Sequence, residues 1–503
     1  MKINIFATAD IHGRVVPYNY GTNCPTDNSI ANLHSAYKAL KDENSILVDN
    51  GDMIKGNFIE KFVYFHRHPA IEIMNFMEYD LWNLGNHEFN YGLDNIYRLM
   101  NDFKGTTLLA NSNGNFTPYK IIEKKGIKIA FIGIETLFVN EFEAQQLGDF
   151  KITDPVDVLD SIIDEIREDV HAIIGLFHLG LSDENGVVHA GILSIIDSMK
   201  HKKYLDAIIS GHTHDGFESF KYKDILIAQP PAYGRGLIKL ELDFSEKKLN
   251  RINSKIIKSS DYEPDEDIID IYEPYHKKIL EFTNKILGFV DNVEGDYNYD
   301  LEDGPLVHLI TDVMRFYYPA DVVAFQLDSP DTKMKNGFLR RTDIARFYTY
   351  SGGEVSLYEI TGSDLKEYMN WSSRYYIYED GELKKNPKRQ SFKYKTFDIF
   401  GNIKYILDYR KEDRITCLKR LDGSDILDED KLIIGMNEYR MNYLMSDMGP
   451  LKYKNFQQIS SSQYIQKGFE NYGTIRELAE IFFDGLPENK FVYNGKTNFE
   501  IKY

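Results

Sequence analysis

The chain has 503 residues, more than one hydrophobic core ordinarily holds, so more than one domain is expected. Hydrophobic residues make up 43% of it, which excludes wholesale disorder. A net charge of −19 excludes a long nucleic acid as the main partner, because phosphate backbones select basic surfaces, but it leaves room for a small anion held through metal ions.

The opening stretch, "MKINIFATADIHG", is not a signal peptide: its apolar run is short and meets Asp10 at once. No run of about 18 apolar residues follows, so no membrane partner is expected. As written, the chain reads as a soluble, cytoplasmic protein; a removed leader would instead make it extracellular or periplasmic. The two cysteines, Cys24 and Cys417, lie too far apart to suggest a disulfide framework or a cysteine zinc site.

Along the first half, apolar runs end in polar residues. "INIFATAD" ends at Asp10, "SILVDNGD" at Asp52 and "YDLWNLGNHE" at Asn86 and His87. "IKIAFIGIE" comes next, then "HAIIGLFHLG" with His178, "LDAIISGHTH" with His212 and His214, and "ILIAQPPAYG". Amphipathic stretches such as "IANLHSAYKALKDE" and "DPVDVLDSIIDEIRED" lie between them. Short buried strands alternating with helices predict a layered α/β domain, whose ligands collect beyond the carboxyl ends of the strands.

This domain is expected to span 1–258 and to close after "GLIKLELDF", a polar "SEKKLN" hairpin and the strand "RINSKIIK". A linker helix with a kink at Pro274 is expected over 259–290. A second α/β domain, over 291–503, mixes helices ("PLVHLITDVMRFYY", "GSDLKEYMNWSSRYY") with strands ("GEVSLYEI", "NIKYILDY", "KLIIGMNEY").

The polar residues at the strand ends are Asp10, His12, Asp52, Asn86, His178, His212 and His214. Two carboxylates, four imidazoles and an amide oxygen form a mixed nitrogen and oxygen set that suits Zn²⁺, Mn²⁺, Fe or Co²⁺ better than Ca²⁺ or Mg²⁺. Seven donors are too many for one ordinary site and fit two divalent metal ions about 3.5–4 Å apart, with Asp52 shared between them. Asp10-Ile11-His12 and His212-Thr213-His214 each place two donors on one face of an extended segment.

The motifs "TADIHG", "VDNGDMIKGN", "LGNHEFNYGLD", "FHLGL" and "GHTH" resemble the calcineurin-like metallophosphoesterases, and more narrowly the 5′-nucleotidase family. The resemblance implies an N-terminal αββα sandwich and a C-terminal nucleotide-binding α/β domain. It implies one metal on Asp10, His12, Asp52 and His214, and a second on Asp52, Asn86, His178 and His212. His87 matches the family's catalytic histidine, and Glu88 is expected to secure the turn rather than to act in catalysis. "GNHEFNYGL", "HPAIEIMN", "FDIFGNIKYILD" and "MNEYRMNY" are similar to the branch of 2′,3′-cyclic-nucleotide 2′-phosphodiesterases/3′-nucleotidases. A 5′-nucleotidase or a nucleotide-sugar or dinucleotide hydrolase is the nearest alternative, and a non-catalytic nucleotide-binding protein is the alternative of another class. The Asn-Gly-Gly-Ile-Arg motif of 5′-nucleotidases is replaced by "LDSPDTKMKNGFLRRTD", which leaves open whether Arg340 or Arg341 meets phosphate. The resemblance assigns Tyr439 to one side of a nucleobase and Phe397 or Tyr394 to the other. The expected partner is a nucleotide or another small phosphoester; the chain could be a monomer or a dimer.

Many relatives carry Asp where this chain has Asn90. Asn90 can accept a hydrogen bond from His87 but brings no charge, so His87 is expected to act as a positioned donor toward phosphate. Asn90→Asp is expected to change the alkaline side of the pH–rate profile; an unchanged profile would remove Asn90 from this account.

Overall fold

The structure is a computed structural model that describes the chain except residues 143–146, 185–186, 318, 328, 349–352, 391–396, 463–465, 468–469 and 472. By its contacts the chain divides into two compact units, Met1–Ile279 and Leu280–Tyr503.

The first unit holds two six-stranded sheets. In the first, β1 (Lys2–Thr8), β2 (Ser45–Asp49), β3 (Leu81–Asn83) and β4 (Thr106–Leu108) run parallel. The second contains an antiparallel edge strand, β5 (Tyr119–Lys124), beside β6 (Ile127–Glu135), followed by β7 (Ala172–His178) and β8 (Ala207–Ser210). Its other edge is an antiparallel pair, β9 (Phe217–Tyr222) and β10 (Ile225–Gln229). The chain then returns to the first sheet as the hairpin β11 (Gly236–Ser245) and β12 (Lys248–Lys258), with β11 antiparallel to β1. The hairpin turns through Glu246 and Lys247, both at positive φ, which matches the twist of the strands it joins.

Period-two alternation decides which side chains face which layer. Ile5, Val48 and Ile238 from the first sheet meet Ile129, Ile174 and Ile209 from the second, all fully buried, so the sheets pack face to face. On the outside of the second sheet, Ile132 and Ile208 pack with Leu159, Ile163, Ile195 and Ile196 of two helices, α2 (Pro155–Ile166) and α3 (Ile192–Ser198). On the outside of the first, Phe6 meets Tyr37 of α1 (Ile30–Leu40) at 5.1 Å between ring centres. The layering is therefore helix, sheet, sheet, helix.

The stretch 259–290 is divided between the units. The helix Glu266–Thr283 runs through Pro274, with Ile268 and Tyr272 fully buried. It is fastened to the first unit by Lys38–Asp265 at 2.9 Å, Tyr275–Glu72 at 2.8 Å and Tyr20–His276 at 2.6 Å. Ile286–Asp291 is a strand of the second unit, paired with Gly337–Arg340 and Lys490–Val492. The second unit's main sheet orders its strands as 398–401, 322–326, 431–436, 356–361 and 458–461. Its core gathers aliphatic side chains with buried tyrosines such as Tyr299, Tyr368 and Tyr405. Among the described residues no helix is long and apolar enough to cross a membrane.

Asp206 lies at the amino ends of the second sheet's strands, where its carboxylate accepts from Ile173 N at 2.8 Å. Burial pushes its pKa up to about 6, from an ordinary 3.8. The folded protein therefore holds this proton more tightly than the unfolded chain does. The group's contribution to stability is complete below the unfolded pKa and is lost as pH rises through about 6. Asp206→Asn, which keeps an acceptor oxygen, is expected to raise Tm relative to wild type at about pH 7.5 and not at about pH 4. Equal shifts at both pH values would exclude this assignment.

Candidate metal centre

The parallel strands end at one edge of the sandwich, and the loops that leave them bring the seven candidate donors together. Asp10 N donates to Gly51 O at 2.9 Å and His12 N to Asp52 O at 3.0 Å, so the loops after β1 and β2 run side by side. Asp10, His12, Asp52, His212 and His214, five of the seven donors, sit at positive φ, a region that non-glycine residues rarely occupy. Such backbone persists where the surroundings fix it and clusters at functional sites. Gly51, at φ +91°, and Gly85 allow the close approach: a Cβ on Gly85 would lie 2.5 Å from Asp52 Oδ1, and one on Gly51 2.5 Å from Gly85 N.

Asp10, His12, Asp52 and His214 each offer an atom within 4.8 Å of the others. His12 Nε2 and His214 Nε2 are 2.9 Å apart, and His214 Nε2 is 3.4 Å from Asp10 Oδ1. On the neighbouring side, His178 Nε2 is 3.3 Å from Asp52 Oδ2, and His212 Nδ1 is 2.8 Å from Asn86 Oδ1. Asp52 stands in the middle. Its Oδ1 accepts from His87 N at 2.9 Å, while Oδ2 lies 3.8 Å from His12 Nε2 and 3.9 Å from His87 Nε2. Asp10, Asp52 and His178 form a fully buried floor; Asn86, His212 and His214 form a half-buried rim.

Neighbouring atoms fix the imidazole protons. His12 Nδ1 donates to Lys55 O at 2.9 Å and His178 Nδ1 to Asn50 O at 2.6 Å. Their Nε2 atoms are left to face the cluster, and that of His178 is buried with no aligned hydrogen-bond partner. This donor set, with lone pairs converging beside two carboxylates, fits divalent cations. Burial opposes charge on Asp52, yet His178, His87 and His12 hold its pKa well below the ordinary value. Burial likewise opposes charge on His178, and Asp52 and Glu135 outweigh it, keeping its pKa raised.

Glu88 does secure the turn, and more besides. Its Oε2 accepts from Gly85 N at 2.7 Å and Asp52 N at 2.8 Å. Its Oε1 accepts from Met53 N at 2.8 Å and Ile54 N at 3.3 Å. His87 Nδ1 is 2.8 Å from Asn90 Oδ1. Burial lowers the His87 pKa to about 3, against the pull of Asp52, so its ring is neutral near pH 7.

Sequence reasoning missed Asn50 and Asn83. Asn50 Nδ2 donates to Phe177 O at 3.1 Å and Ile209 O at 3.0 Å, and Asn83 Nδ2 donates to Asn50 Oδ1 at 2.9 Å and Ile134 O at 3.1 Å. This amide chain ties the two sheets together directly beneath the donors. The available signal was an asparagine closing an apolar run in "VDNGD" and "LWNLG". Tyr233, whose hydroxyl is 3.0 Å from His214 Nδ1, was missed too.

In the second unit, Tyr439 is half-buried in the first turn of the helix Glu438–Met445. Phe397 is 2% exposed and packs in the core against Tyr375 and Tyr376. Tyr394 lies outside the described residues. Arg341 is buried, pairs with Glu480 and stacks on Phe282 at 3.6 Å, which is a structural use of its guanidinium.

Residues 3–216 match the family model for calcineurin-like phosphoesterases, and 286–444 that for the 5′-nucleotidase C-terminal domain. The trifunctional nucleotide phosphoesterase protein YfkN of Bacillus subtilis is 24% identical over 82% of this chain and 33% of its own. A 2′,3′-cyclic-nucleotide 2′-phosphodiesterase/3′-nucleotidase of Haemophilus influenzae is 24% identical over 82% of this chain and 74% of its own. The chain thus spans about a third of the Bacillus relative and about three quarters of the Haemophilus one. Among solved structures, a candidate 5′-nucleotidase of Staphylococcus aureus in complex with alpha-ketoglutarate superposes over the whole of both chains with a TM-score of 0.82 at 17% identity. The 5′-nucleotidase precursor of Thermus thermophilus covers 99% of this chain with a TM-score of 0.64 at 15% identity. With its clustered carboxylates and imidazoles at the strand ends, the chain carries a calcineurin-like phosphoesterase domain followed by a 5′-nucleotidase C-terminal domain.

Proposed function

We propose that this protein hydrolyses nucleotide phosphoesters, as a 2′,3′-cyclic-nucleotide 2′-phosphodiesterase and 3′-nucleotidase. The carrying observation is the position of Asp52 Oδ2 between His12 on one side and His178 on the other, which suits a carboxylate shared by two cations. In this reading Asp10, His12, Asp52 and His214 hold one ion, and Asp52, Asn86, His178 and His212 hold the other. Divalent ions held by these residues would activate water at neutral pH and offset the charge on phosphoryl oxygens.

The chain's own residues do the rest. His87 Nε2 lies at the edge of the cluster, placed to hydrogen-bond a phosphoryl or leaving-group oxygen. The neutral ring can donate from Nε2 if Asn90 turns its amide N–H toward Nδ1, a choice that a carboxylate at this position would not offer. In the second unit, Tyr439 is assigned to stack on the base. The cyclic-phosphodiesterase assignment is supported by the Haemophilus relative and by the sequence motifs shared with that branch. A 5′-nucleotidase is the second reading, favoured by the C-terminal family match and by a Vibrio cholerae 5′-nucleotidase that is 23% identical over 73% of this chain.

With Mn²⁺, kcat/KM for 2′,3′-cyclic AMP and 3′-AMP is expected to exceed that for 5′-AMP; the reverse order would select the 5′-nucleotidase. Hydrolysis of bis-p-nitrophenyl phosphate is expected to fall at least about 10²-fold in His87→Ala, and as far or further in Asp52→Ala. Wild-type protein that turns over none of these esters would instead be a non-catalytic nucleotide binder.

A further inference from the structure

Each imidazole of the cluster has a partner on the nitrogen that points away from it. For His12, His178 and His214 that nitrogen is Nδ1, and its partner is a neutral oxygen: Lys55 O, Asn50 O or the Tyr233 hydroxyl. His212 is reversed. It turns Nδ1 to Asn86 Oδ1, and 3.2 Å from its Nε2 stands a carboxylate oxygen, Oε1 of Glu184. A carboxylate facing a ring nitrogen selects the tautomer with the proton there. Nδ1 then carries the lone pair, beside the Asn86 oxygen 2.8 Å away.

The loop that carries Glu184 is built to bring it there. Leaving β7, the chain presses against the His212 turn: a Cβ on Gly180 would lie 2.4 Å from Thr213 Cγ2. Beyond it, Asp183 is held by Ser194 Oγ at 2.5 Å. His189, on the return, is held by Asp154 Oδ2 at 2.5 Å and Ser198 Oγ at 2.8 Å. Glu184 O itself accepts from Val187 N at 2.9 Å. The Glu184 side chain is about a quarter exposed.

We propose that Glu184 is a positioning residue for the ion on the Asn86, His178 and His212 side: it holds the Nε2–H tautomer of His212 and strengthens Nδ1 as a donor. The inference rests on the ligand assignment under Proposed function. The test is Mn²⁺ binding to the full chain, stripped by chelation, followed by calorimetric titration and metal analysis. Wild type is expected to bind two equivalents and His212→Ala one. Glu184→Ala is expected to weaken one of the two equivalents by about 10–100-fold and leave the other unchanged. Glu184→Gln, which keeps an acceptor oxygen without the charge, is expected to fall between. The Tm of the metal-free protein is expected to be the same in wild type and both Glu184 variants. Two unchanged affinities in Glu184→Ala, beside a lost equivalent in His212→Ala, would overturn the role of Glu184 and leave the ligand assignment standing. Equal weakening of both equivalents together with a lower metal-free Tm would overturn it as well, as a merely structural effect. Two full equivalents in His212→Ala would overturn the ligand assignment and this inference with it.

Discussion

Glu88 takes backbone N–H donors from Gly85, Asp52, Met53 and Ile54, and that one buried carboxylate fixes the two loops whose side chains form the middle of the site. Burial, and next the Asp52 charge, push the Glu88 pKa up to about 7, while the backbone N–H donors pull against them by stabilising the ionised form. The arrangement also leaves Asp52 free of any duty to its own loop. With its backbone held from behind, its side chain can face three imidazoles, and they in turn keep it ionised.

The same loops carry backbone strain. Residues at positive φ cost of order 1–2 kcal/mol each when they are not glycine, and five of the seven candidate donors are such residues. What holds them is the cross-bracing beneath: paired backbone bonds between the loops after β1 and β2, and the Asn50–Asn83 amide chain that joins the carboxyl ends of both sheets. Donors that leave a rigid sheet edge through strained turns need little reorganisation when an ion arrives, which is how a built site differs from a chance cluster of acids and histidines.

Much of this was legible in the chain. Most parallel strands of the first unit were readable as short apolar runs, because a strand buried on both faces is apolar almost throughout; β4, only three residues long and opening on two threonines, was not. The polar residue that closed each run marked the carboxyl edge, where α/β sheets collect their ligands. The Glu88 turn could be foreseen from "GNHE", but not its four donors, since three of these come from a segment more than thirty residues earlier. Phe397 shows the opposite limit. Its motif pointed to a nucleobase, and the structure buries it against Tyr375 and Tyr376, a packing that one-dimensional spacing does not encode.

Sequence by itself determined the layered class, the strand-end donors and the chemistry they favour, because these follow from local periodicity and residue type. Only the tertiary structure decided that Asp52 lies between two imidazole groups, that His212 presents its other nitrogen and that Glu184 stands behind it. Those relations depend on loops meeting across two sheets, with partners such as Asn50 and Phe177 more than a hundred residues apart, and distance along the chain carries no information about them.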